Sequence, residues 1–105
     1  MIHERDEWLA QWSRTVTEVE RGYELTFDDY LNDLDMRHKL RVIEEHDDQW
    51  ADLLELDTRF RNATFPSGRC VWGEENAAAE GWDREKHWYY WLLPKKQGLA
   101  FEAEY

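Results

Sequence analysis

Cysteine is almost missing from this chain. Cys70 stands alone, so no disulfide can close within it, and a reducing cytoplasmic setting is expected. Long apolar runs are missing too. None approaches the ~20 residues that cross a bilayer, so no membrane partner is expected. The opening residues, Met1 to Glu7, are charged and lack the apolar stretch of a secretory leader. No phosphate-binding glycine loop, dinucleotide turn, nucleophile elbow or zinc-ligand spacing occurs. Basic residues are scarce: 13 Lys and Arg face 24 Asp and Glu, for a net charge of −11. Proteins that hold a nucleic-acid backbone neutralise its phosphates with Lys and Arg. Direct nucleic-acid binding is therefore not expected; a basic protein partner is.

What the chain does have is aromatic mass and an uneven charge. Its 105 residues fit one domain, 1–105. Apolar residues make up 42% and aromatics 15%, with seven Trp, which separates it from disordered acidic chains. Residues 1–62 carry −9 of the net charge, leaving −2 for the aromatic-rich residues 63–105.

The periodicity predicts an α+β fold: about three N-terminal helices packed on a small C-terminal antiparallel sheet of two to three strands. Leu9, Trp12, Val16, Val19 and Tyr23 form one apolar stripe at helical spacing, with Gly22 as terminator. A second helix starts at Thr26, with Asp29 at the third helical position in a relative of the capping box. Its inner face is Phe27, Tyr30, Leu31 and Leu34, continued by Met36, Leu40 and Ile43. A third runs through Trp50, Leu53, Leu54, Leu56 and Phe60, after a break near His46 and Asp47. Beyond Pro66 and Gly68 the pattern changes. Arg69 to Trp72 reads as a strand, Glu74 to Glu80 as a short helix stopped at Gly81, and His87 to Leu93 as a buried aromatic strand, with a helix as the alternative over 83–93. Alternation of Leu99, Phe101, Ala103 and Tyr105 predicts a last strand, in a hairpin with the one before.

The candidate sites follow from spacing. Glu45, Asp48, Asp52 and Glu55 lie on one helical face, echoed by Asp29 and Asp33 on the preceding helix. Like charges at i,i+4 each cost a few tenths of a kcal/mol, so an unmixed stripe points to a basic partner. The alternative is a solvated face neutralised by Arg41 and Arg59. Trp88, Tyr90 and Trp91 are the expected aromatic contacts, facing a partner or a second copy of this chain. Asp35 with His38 at i,i+3, and His46 among carboxylates, lack the repeat of a di-metal helical site, so no metal or cofactor is expected. Cys70 with His87 could pair as a thiolate, but a buried packing role for Cys70 fits better and no enzyme activity is expected. Asp57 sits on the apolar phase and requires a cationic partner, Arg61 or Arg21.

The expectation is a small acidic interaction module that inhibits a basic or nucleic-acid-handling protein. Antitoxins, immunity proteins and phage inhibitors of host defence of the anti-CRISPR kind act this way, some as nucleic-acid mimics. The alternative is a self-associating subunit, a homodimer through its aromatic face. A small metal-dependent enzyme is a remote third.

Overall fold

A computed structural model describes residues 4–44 and 51–104. The described chain is mostly helical, with a two-stranded antiparallel sheet. Helices α1 (Glu4–Arg21), α2 (Phe27–Glu44) and α3 (Ala51–Asn62) come first. Strand β1 (Thr64–Pro66), helix α4 (Glu74–Glu80), a 3₁₀ turn at Trp88–Trp91, strand β2 (Leu92–Pro94) and helix α5 (Leu99–Glu104) follow. The expected break near His46 and Asp47, together with Trp50, Glu45 and Asp48, lies outside the described residues. No described helix is long and apolar enough to cross a membrane.

Helix α1 packs on both α2 and α3. Its stripe is the centre of the core: Trp12, Val16, Val19 and Tyr23 are fully buried. Gly22 ends the helix with φ 109°, a backbone state that side chains rarely tolerate. Thr26 and Asp29 cap α2 reciprocally. The Asp29 N–H donates to Thr26 Oγ1 at 3.1 Å, and Asp29 Oδ2 accepts from the Thr26 N–H at 3.2 Å and its hydroxyl at 2.9 Å. Tyr30, Leu31, Leu34 and Leu40 point inward from α2, and Leu53, Leu56 and Phe60 from α3. Leu54, expected on the apolar face, is instead 60% exposed.

The C-terminal third departs from expectation in three places. Arg69 to Trp72 is a turn, closed by the Gly73 N–H donating to Cys70 O at 2.9 Å. The aromatic run forms a 3₁₀ turn rather than a strand. Asp83 starts the tightening by accepting the backbone N–H groups of Lys86 and Glu85 at 2.7 and 3.0 Å. The Tyr90 N–H then closes on His87 O at 3.0 Å. At three residues per turn, successive rings point in different directions, where a strand would alternate between two faces. Trp88 meets Phe60, Tyr89 meets His38, and Tyr90 stacks on Trp82.

The third departure is α5, where a strand and hairpin were expected. The sheet instead joins β1 to β2, with Phe65 opposite Leu93. After β2 the backbone ties back to the end of α1. The Tyr23 N–H donates to Lys96 O, and the Gly98 N–H donates to Tyr23 O. Of the described alternating residues, Leu99, Phe101 and Ala103, Phe101 alone is buried, against the rings of Tyr23, Phe27 and Tyr30, and Leu99 is 86% exposed; Tyr105 lies outside the described residues. One anchor and a Glu104 carboxylate accepting the Phe27 N–H at 3.0 Å hold this helix.

Candidate functional site

Helices α1 and α3 frame a surface groove of about 440 Å³. Asp6, Leu9, Ala10 and Ser13 line it from one side, and Asp52, Glu55 and Leu56 from the other. Both sets recur at three or four residues, so each helix gives the groove a single face. Asp6, Asp52 and Glu55 are exposed, while Leu9 and Leu56 form an apolar floor. Arg59, which the alternative reading would have neutralise this stripe, turns to α1. Its Nη2 and Nε reach the Glu20 carboxylate at 2.6 and 3.1 Å. That hydrogen bond holds the Glu20 pKa below the usual carboxylate value and raises that of Arg59; Glu55 adds only a weaker field at Arg59. Among the described residues, neither Asp52 nor Glu55 makes an ion pair.

The other candidate acids are engaged locally. Asp29 is the cap of α2. Asp33 is half-buried and accepts the Tyr23 hydroxyl at 2.5 Å. Burial raises the Asp33 pKa despite that bond, and burial plus the bond raise that of Tyr23. Glu45 and Asp48 lie outside the described residues.

The aromatic candidates are packed inside. Tyr90 is fully buried and Trp91 is 7% exposed. Trp88 is half-buried, with the Arg61 guanidinium 3.9 Å from its ring centroid and Arg37 at 5.5 Å.

Behind these rings is a buried ion pair that the spacing did not reveal. Arg37, 1% exposed, binds Asp57 through Nε at 2.9 Å and Nη2 at 2.8 Å, and the Trp12 indole N–H donates to the same carboxylate at 3.1 Å. The partner expected for Asp57 was Arg61 or Arg21, but Arg61 covers Trp88. The signal was there to find: Tyr30, Leu34 and Arg37 continue the inner face of α2 at steps of four and three.

A second cavity, about 410 Å³, opens between α2, α4 and the 3₁₀ turn. Asp35 and His38 enter from α2, Trp72 from the turn after β1, Asn76 and Glu80 from α4, and Trp82 and Tyr90 from the aromatic segment. Asp35 Oδ1 accepts the Tyr90 hydroxyl at 2.8 Å and the Trp72 indole N–H at 3.2 Å. His38 Nδ1 lies 2.8 Å from the Tyr89 hydroxyl, and its ring centroid is 5.5 Å from that of His87. Burial lowers the pKa of both histidines. His87 turns to His38 and to Asp83, whose backbone N–H donates to its Nδ1 at 3.1 Å. Cys70 is buried and burial raises its thiol pKa, opposite to what a nucleophile needs. Among the described residues no three His, Cys, Asp or Glu side chains gather as a metal site.

Comparison with protein-family models, with curated proteins and with solved structures gave no match to this chain.

Proposed function

We propose that this protein binds a basic segment of a nucleic-acid-handling protein in the groove between α1 and α3 and thereby blocks that partner. The observation that carries the reading is the pairing of Arg59 with Glu20, which leaves Asp52 and Glu55 exposed beside Asp6 without a counter-ion among the described residues. A charge of −11 draws a basic partner in over long range, and the groove gives it a place to settle. The apolar floor suits the aliphatic stem of a Lys or Arg whose charged end meets the carboxylates. A segment held there is no longer available to phosphates, while nucleic acid itself is repelled.

The test is capture from extracts of the source cells with the wild type and with Asp52→Asn/Glu55→Gln, followed by purification of whatever is captured. The expected result is a basic protein whose nucleic-acid binding falls when the wild type is added and not when the variant is. A captured protein that is acidic, or that keeps its nucleic-acid binding in the presence of the wild type, overturns the reading.

A further inference from the structure

The cavity between α2 and α4 shares no lining residue with the α1–α3 groove and has a different chemistry. We propose that it is a binding site for a guanidinium cation. Two carboxylates reach it: Asp35 from α2 and Glu80 from the last turn of α4. Asp35 is oriented rather than loose, because Tyr90 and Trp72 both donate to its Oδ1. Its remaining oxygen can accept from a ligand without disturbing either bond.

Trp72 and Trp82, both half-buried, supply ring surface beside the carboxylates, and Tyr90 stacks on Trp82 with centroids 4.3 Å apart, fixing its plane. A guanidinium offers N–H groups in its plane to a carboxylate and its flat face to a ring, which a compact ammonium does less well. The same chemistry operates inside this molecule. Arg37 pairs with Asp57 while lying 5.3 Å from the Tyr89 ring centroid, and Arg61 covers Trp88. Burial lowers the pKa of His38, on the same wall, and so disfavours its charged form. Anionic ligands are disfavoured by both carboxylates and by the net charge.

The two sources of such a cation are a free small molecule and an arginine presented by a polypeptide. The experiment follows the indole N–H resonances of Trp72 and Trp82 during titration with N-acetyl-arginine amide, with its uncharged citrulline analogue, with agmatine and with a blocked Gly-Gly-Arg-Gly-Gly peptide. The expected result is saturable shifts of both resonances with the arginine compound and none with citrulline at equal concentration. Glu80→Gln, on an exposed position, weakens binding about threefold to fivefold, the worth of one exposed ion pair. Glu75→Gln, exposed on the same helix but outside the cavity, leaves it unchanged. Tighter binding of the peptide than of agmatine assigns the site to a protein arginine, and the reverse order to a free cation. Equal shifts with citrulline, non-saturating shifts, or equal effects of the two glutamate variants overturn the proposal. Failure of the α1–α3 groove to bind a basic partner would not move any of these readouts.

Discussion

Arg37 and Asp57 put two opposite charges in the protein interior, and their value to stability depends on which are removed. Asp57→Ala strands a buried guanidinium and is expected to cost about 3–5 kcal/mol in urea unfolding, while Arg37→Met with Asp57→Leu together costs far less. A single-variant loss below about 1 kcal/mol would show that the pair is solvated after all. The histidines give a pH signature. Around His38 stand Asp35, Arg41, Glu80, Tyr89 and His87; around His87 stand Arg41, Asp83, Lys86 and His38. Burial lowers the pKa of both in the folded state, so the unfolded chain takes up protons first as pH falls. Stability is therefore full above the unfolded value of about 6.5 and falls as pH drops through the lower folded values. His87→Asn, whose Oδ1 takes the place of Nδ1 as acceptor for the Asp83 N–H, is expected to flatten the loss of melting temperature between pH 7 and pH 5; an unchanged slope would clear His87 of the effect. Asp57 on an apolar phase was readable as a buried acid needing a cation. Its partner was only partly readable: Arg37 is in phase with Tyr30 and Leu34 on the inner face of α2, but phase alone does not choose it over Arg21 or Arg61.

Helix α5 shows how far one side chain can hold an element. Phe101→Ala removes the ring that meets Tyr23, Phe27 and Tyr30, at an expected cost of about 3–5 kcal/mol. Gly98→Ala strikes at the same junction, since a Cβ there would lie 2.9 Å from the Glu24 Cα and 3.1 Å from Tyr23 O. Backbone must move to admit it, so the Gly98 variant is expected to unfold at lower urea than the wild type, and equal midpoints would mean that α5 docks loosely. The long elements were legible because their signals are long: the α1 stripe runs through five positions, and Thr26 with Asp29 caps α2 as their spacing implies. Glu74–Glu80 is the short helix expected, ending at Gly81, but the aromatic run and the last segment were misread because six or seven residues of aromatics or alternation fit strand, 3₁₀ turn and helix alike. What decides among them is outside the segment: Asp83 tightening the chain before Trp88, and the ring pocket that accepts Phe101.

Charge organises the whole molecule as the core organises its elements. Asp52 and Glu55 were legible as a stripe, and Asp6 was not, because only the packing of α1 on α3 brings it beside them. The pairing of Arg59 with Glu20 was equally hidden, and it leaves Asp52 and Glu55 without an ion pair among the described residues. The central claim is that this negative groove steers a basic partner into place. Its most direct test is the association rate with the purified captured partner, measured from about 20 to 300 mM salt, where screening of exposed charges becomes severe. The expected result is a fall of about tenfold or more across that range, with Asp52→Asn/Glu55→Gln starting slower and depending less on salt. An association rate that stays the same at both ends of the range, or that the variant does not change, contradicts the account.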